Sequence, residues 1–345
     1  MKFKSEYKSE FFKKRHQQFE NKLSKTPPFP KNALIEVSNA CNHACVFCSN
    51  SLMLRKIGTL DLKIYEKFVL QAVKNGLSEI GLYSTGEPLI TKNIGEYVSK
   101  AKSLGVKRIY ITTNGSLASL DKIKSLKNQG IDSIKFSINA ATRESYKIIH
   151  GKDDFEKVLK NVDDIYNWKI KNNINLQLLA TFVYTKLTKN EIEIFKKNLS
   201  KYFQDVWYLA STGQAGDNIE NTKELSPYWT YDKDIKPCDM VFNRLHLTYE
   251  GFLTACCSDY ENNLTFANLN KEDFNLIDEW KNDIIQKLRE KHLNKKLDNL
   301  LCKSCLSGEK FNYKPISNLR GREGNSSNPK FRNYKERLKI HNSLT

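Results

Sequence analysis

Apolar positions along this chain follow two alternating rhythms. Short runs at Ala33–Ser38, Glu79–Ser84, Lys107–Thr113, Asp132–Ile138, Asn175–Phe182 and Asp205–Leu209 predict strands. Between them, Leu60–Lys74, Ile94–Leu104, Leu120–Gln129, Arg143–Ile170 and Lys189–Tyr202 have the spacing of amphipathic helices. In the first, Leu62, Tyr65, Val69, Leu70 and Val73 share one face. Asn75-Gly76, Leu104-Gly105 and Gln129-Gly130 supply helix stops just before the next strand. Strand–helix alternation requires crossovers, so the sheet is expected to be parallel. Six units ending near residue 210 predict an α/β fold, a partial (β/α)6 TIM-like barrel. Beyond Ser211 the rhythm lapses into a polar passage with Gly213, Gly216, Pro227 and Pro237. A smaller unit follows, with a hairpin at Leu245–Ala255 around Glu250-Gly251 and a helix at Leu276–Leu297. The expected organisation is a basic extension at 1–32, the barrel at 33–210, a linker at 211–237, a small domain at 238–310 and a basic tail at 311–345. No internal repeat is visible.

Composition narrows the class. The 345 residues are 39% hydrophobic and 28% charged, enough apolar side chain for a core. No apolar run approaches the ~18 residues of a membrane span, and the N-terminus lacks the apolar stretch of a secretory signal. A cytoplasmic protein with eight reduced cysteines is expected, which favours metal binding over disulfides. The net charge is +17, but nine Lys/Arg against three acids at 1–32, and eight against two at 311–345, account for most of it. Solvated tails explain that pattern better than a nucleic-acid site.

The sharpest chemical signal is Cys41-Asn42-His43-Ala44-Cys45-Val46-Phe47-Cys48, directly after the first strand. Three thiols this close can converge on one centre, and thiolates suit iron–sulfur clusters or zinc. This motif resembles the CxxxCxxC signature of the radical S-adenosylmethionine (SAM) enzymes. There, three cysteines hold a [4Fe–4S] cluster whose remaining iron chelates SAM. Ser84-Thr85-Gly86-Glu87-Pro88 is similar to that family's GGEP segment, with Thr85 in place of the first glycine. Thr112-Thr113-Asn114-Gly115 and Ser137-Ile138-Asn139-Ala140 end the third and fourth strands, where such barrels place their sites. The resemblance implies cofactor contacts at Phe47, Ser84, Thr85, Gly86, Glu87, Asn114, Ser137 and Asn139.

The other five cysteines lie in the C-terminal third. Gly251-x4-Cys256, preceded by Cys238 and followed by Cys302-x-x-Cys305, resembles the SPASM/twitch extension of the same family. By that resemblance Cys238, Cys256, Cys302 and Cys305 hold one auxiliary [4Fe–4S] cluster. The residues alone leave structural zinc open. Cys257 is left over, as a buried thiol, an alternative ligand or a hydrogen-atom donor. His43 and His150 read most simply as loop residues in solvent, and Tyr83 and Tyr110 as core. Asp239, Glu250 and Asp259 lie near the auxiliary cysteines without one being singled out as an acid–base group.

The resemblance implies reductive cleavage of SAM to a 5′-deoxyadenosyl radical that takes a hydrogen atom from a substrate. With a fully ligated auxiliary cluster as electron acceptor, the expected outcome is oxidation of a sugar, cyclitol or nucleotide-sugar. Epimerisation would follow if Cys257 returned a hydrogen atom. A peptide or protein maturase is the alternative, then RNA modification, then a non-catalytic iron–sulfur or zinc module. An external donor such as flavodoxin or ferredoxin is the expected electron source.

Overall fold

A computed structural model describes residues 23–211, 213–214, 219–227 and 235–319. Most of the basic extension and tail, and part of the 211–237 linker, lie outside the described residues. Six parallel strands form as the alternation requires: β1 (Asn32–Ile35), β2 (Glu79–Gly81), β3 (Arg108–Thr113), β4 (Ser133–Ser137), β5 (Gln177–Tyr184) and β6 (Asp205–Ala210). The crossover helices are α1 (Leu62–Lys74), α2 (Ile94–Ser103), α3 (Leu120–Asn128), α4 (Arg143–His150), α5 (Phe155–Lys171) and α6 (Ile192–Asn198). Asp61 starts α1 by accepting the Lys63 and Ile64 amides at 2.8 and 3.1 Å.

The small C-terminal unit is not a separate layer. Strand β7 (Arg244–Leu247) pairs parallel to β1, and β8 (Phe252–Thr254) and β9 (Thr265–Asn268) continue antiparallel. One nine-stranded sheet results among the described residues, in the order β6-β5-β4-β3-β2-β1-β7-β8-β9. Two predicted helices are also broken. The 143–170 stretch divides at Gly151, which adopts φ 64° to close α4. The 276–297 stretch divides into α7 (Leu276–Glu279) and α8 (Asp283–Leu293). Asn282 is the cause: its side chain accepts the Ile285 amide at 3.1 Å and donates to the Phe266 carbonyl at 2.8 Å. A last helix, α9 (Leu301–Ser307), carries Cys302 and Cys305.

The sheet has two unlike faces. Ile109, Ile111, Ile134, Phe136, Leu178 and Ala180 point outward into the apolar core under the helices. Their neighbours in sequence, Arg108, Tyr110, Thr112, Lys135, Ser137 and Thr181, alternate onto the inner face. A polar lumen therefore runs toward the C-terminal strand ends. Among the described residues, no helix is long and apolar enough to cross a membrane.

Candidate active site

Cys41, Cys45 and Cys48 lie on the loop after β1, over the C-terminal strand ends. The base of the loop is tied by Asn39, whose side chain donates to the Lys56 carbonyl and accepts the Gly58 amide, both at 2.9 Å. Its far side pairs with the end of α4: the Ala44 and Val46 amides donate to His150 and Ile149 carbonyls at 3.1 and 2.9 Å. The amides of Asn42 and His43 point at the Cys41 sulfur, and that of Asn50 at the Cys48 sulfur, 3.5 Å away. Burial pushes the Cys41 thiol up to about 12, so holding it as a thiolate needs a cation or metal centre. Three soft sulfurs ringed by N–H donors fit an iron–sulfur cluster.

His43 and His150 were expected in solvent and are instead buried beneath this loop. Their Nδ1 atoms stand 3.2 Å apart, His43 Nε2 meets Asp154 at 3.0 Å, and His150 Nδ1 lies 3.6 Å from the Cys45 sulfur. Tyr146 stacks on His150 at 4.0 Å. Burial, helped by His43, pulls the His150 pKa well down. Burial also lowers His43, against the pull of Asp154. Helix periodicity placed His150 but gave no sign of what covers it.

The other predicted cofactor residues surround the same loop. Gly86 is a close approach: a Cβ there would lie 2.4 Å from the Ser38 carbonyl oxygen and 2.6 Å from that of Ala40. Glu87 is fully buried and accepts from Thr113 Oγ1 at 2.7 Å, the Asn114 amide at 2.8 Å and the Leu89 amide at 3.0 Å. Its carboxylate thus locks the end of β3 to this segment. Thr85 Oγ1 donates to Glu36, and Ser84 Oγ to the Cys257 carbonyl at 3.2 Å. Asn114 reaches Asn42 Oδ1 at 2.9 Å, and Ser137 Oγ lies 2.9 Å from Thr181 Oγ1. Asn139 takes φ 41° and spends its Oδ1 on the Val183 amide at 2.8 Å. Phe47 packs with Val46, Ile149 and Leu225.

The C-terminal cysteines are gathered from three separate segments, with Cys302 and Cys305 both on α9. Burial raises the Cys302 thiol, with Cys238 and Cys305 adding to it; Cys256 is raised by its bond to Cys257 and by burial, and then by the same two sulfurs. The Cys238 amide donates to His292 Nδ1 at 3.3 Å. Among the described residues, no three or more His, Cys, Asp or Glu converge as a single-ion site. Tetrahedral zinc, at ~2.3 Å from each thiolate, would draw its sulfurs much closer together than the separate irons of a cluster do. The four gathered thiols would be the ones to hold such a cluster. Cys257 lies against this set, its sulfur hydrogen-bonded to that of Cys256 and close enough to raise the Cys238 thiol. There Cys256, His246 and Arg244 hold its thiol well below the usual range, against its burial.

Sequence reasoning missed the joint between the two cysteine sets. Arg55, 7% exposed, grips Glu36 through both Nη atoms at 2.7 and 3.1 Å and reaches Glu250 at 2.9 Å. Its Nε donates to the Tyr260 carbonyl at 2.7 Å. Glu250 is thus a structural carboxylate, as is Asp259, which accepts the Asn263 and Leu264 amides and the Thr254 hydroxyl at 2.6–2.8 Å. The Tyr260 hydroxyl meets the Cys48 sulfur at 3.4 Å and Gln214 Oε1 at 2.6 Å. No short motif marks Arg55 or Tyr260, because the contacts that join the two regions, Arg55 to Tyr260 and Tyr260 to Cys48, span about 200 residues.

The family profile described as the radical SAM superfamily matches residues 35–196. A second, for an iron–sulfur cluster-binding domain (SPASM), matches residues 238–306. A curated relative, the probable GTP 3′,8-cyclase of Methanothermobacter marburgensis, is 34% identical over 129 residues, or 37% of this chain and 42% of that protein. The chain spans about half the length of the curated relatives it matches. Among solved structures, BtrN in complex with AdoMet and 2-DOIA superposes with TM-score 0.51 and 17% identity, covering 81% of this chain and 96% of that one. Streptococcus suis SuiB bound to precursor peptide SuiA superposes at 0.60 and 15%, covering 89% and 79%. At such identities the likeness is one of fold.

Proposed function

Because the chain belongs to the radical SAM superfamily and carries a SPASM iron–sulfur domain, we propose that it oxidises a small polar substrate at an alcohol carbon. A radical SAM domain implies a [4Fe–4S] cluster and SAM, and a SPASM domain a further cluster. When bound, these groups would supply the radical chemistry that takes hydrogen from an unactivated carbon.

The remaining roles fall to this chain. Cys41, Cys45 and Cys48 would hold the first cluster, and Cys238, Cys256, Cys302 and Cys305 the second. Gly86 lets that segment pack directly against the Ser38–Ala40 backbone at the base of the cysteine loop, and Glu87 keeps it fixed against β3. The hydroxyl-bearing inner face receives the substrate, and the packed loops over it exclude water. Oxidation at that carbon would release one hydrogen atom, then a proton and an electron, and Cys238, Cys256, Cys302 and Cys305 would hold the centre that supplies an acceptor for the electron. What supports this reading is the gathering of Cys238, Cys256, Cys302 and Cys305, together with the hydroxyls of Thr112, Ser137 and Thr181 on the inner strand face. The name of the methanobacterial relative, a GTP cyclase, favours a nucleotide-bearing member of the sugar class over a peptide.

Anaerobic reconstitution tests it. About eight irons per chain are expected for two four-iron clusters, with 5′-deoxyadenosine formed under reduction. Cys45→Ala is expected to abolish that product. Cys302→Ala is expected to lose about half the iron while still cleaving SAM. Undiminished deoxyadenosine from Cys45→Ala would end the proposal, and modification of a peptide rather than a sugar would redirect it.

A further inference from the structure

A groove of about 600 Å³ runs along α8. Ile284, Leu288, Leu300, Pro315 and Ile316 give it an apolar lining, and Lys287, Lys291, Lys296 and Lys314 reach it from its edges. Ile284, Lys287, Leu288 and Lys291 recur at helical spacing, so one face of α8 supplies both the apolar and the cationic part. Lys287, Lys291 and Lys296 are exposed, and none of them is ion-paired among the described residues. Glu290, the acid beside them, is bridged to Lys25 at 3.3 Å.

An apolar centre within a cationic rim suits a protein with an acidic surface: the charges steer encounter and the apolar lining is desolvated on docking. Charge excludes the nearer occupants. The chain's own ends are basic, with seven Lys/Arg against three acids at 1–22 and seven against two at 320–345. A second copy carries the same +17. A nucleic acid would be held best by rings to stack on and arginines to fork its phosphates. Among the described residues, the groove is lined by neither.

The groove also shares its elements with the second thiol set. His292, on the adjacent buried face of α8, accepts the Cys238 amide at 3.3 Å. Leu300 leads directly into α9, where Cys305 is exposed.

We propose that this groove docks an acidic one-electron carrier protein, its carboxylates on the lysines and an apolar side chain of its own against Leu288 and Ile316. The carrier class rests on the reaction proposed above: the electron that the substrate releases must leave the chain, and the carrier is reduced by that one electron.

The test is calorimetric titration of the anaerobic holoenzyme with a flavodoxin and, separately, with a [2Fe–2S] ferredoxin. Saturable binding of at least one is expected, declining as salt is raised. Combining Lys287→Glu, Lys291→Glu and Lys296→Glu should weaken it about tenfold or more. Combining Lys157→Glu, Lys171→Glu and Lys197→Glu, at exposed positions on and next to α5 and α6, makes the same change in net charge and should leave most of the affinity. Matching iron contents in the two variants show that both fold. Equal losses in the two variants would reduce the effect to diffuse charge and overturn the inference. So would the absence of saturable binding by either carrier, or binding of a single-stranded RNA in their place. A carrier bound at the groove of protein that forms no deoxyadenosine would instead remove the proposed reaction and leave the docking site standing.

Discussion

The two cysteine sets hold their thiols in opposite ways. Cys41, Cys45 and Cys48 lie within eight residues on a single loop, shaped by short-range amide–sulfur contacts and two backbone bonds to α4. Cys238, Cys256, Cys302 and Cys305 span 68 residues and meet only because β7–β9 extend the sheet and α8 packs beneath them. Buried Arg289 shows how that packing is secured: its guanidinium lies 3.9 Å from the Trp280 ring centroid, and it donates to the Val241 and Trp280 carbonyls at 3.1 and 2.9 Å. A compact motif needs little from the rest of the chain. A dispersed one needs the whole domain folded first.

The joint at Arg55 is the place to break the two apart. Arg55→Met would leave Glu36 and Glu250 buried without their cation, at a cost of about 3–5 kcal/mol. Urea unfolding should report that loss, together with lowered iron retention at both centres. Loss confined to the C-terminal set would mean that the first loop stands by itself.

Acid should act on both regions through histidines that burial holds neutral. Burial lowers His292 to about 4 and puts His150 well below its usual value. Both folded values lie below the unfolded one, so the unfolded chain takes up more protons as pH falls. Stability is therefore full above ~6.5 and declines below it, by up to about 1.4 kcal/mol per pH unit for each histidine. Unfolding midpoints at pH 7 and pH 5 should differ accordingly, and the difference should shrink in His150→Gln. Equal midpoints in the wild type would show that these rings are not buried neutral.

Tyr260→Phe is the subtlest change. The phenol hydroxyl donates to Gln214 Oε1 and stands 3.4 Å from the Cys48 sulfur. With a cluster bound, its one hydrogen turned to the thiolate would favour the reduced, more negative state. Its removal should lower the potential of the first centre by an amount of order 1 kcal/mol or less, with that of the second unchanged. Redox titration followed by electron paramagnetic resonance would show it. An unmoved first potential would reduce Tyr260 to a packing residue.

Legibility in the sequence followed the range of the interactions. Six strands and their helices could be placed because each element buries its own periodic face, and the first thiol motif because its ligands share one loop. The helix divisions at Gly151 and Asn282 were missed. A left-handed cap and an asparagine bonded to a distant strand outweigh a periodicity that continues through both. His43 and His150 were misread as exposed because sequence near a loop does not reveal what covers it.

The chain's order of residues settled which side chains are soft ligands, which strand faces are apolar, and that the sheet begins parallel. Three-dimensional packing alone decided that β7 would lie against β1, that Arg55 would join the two cysteine regions, and that Pro315 and Ile316 would line a groove along α8. Alternation and short motifs are properties of neighbours along the chain. Contacts between residues two hundred positions apart depend on how much surface each arrangement buries and how many charges it pairs, and those quantities exist only once the sheet has formed.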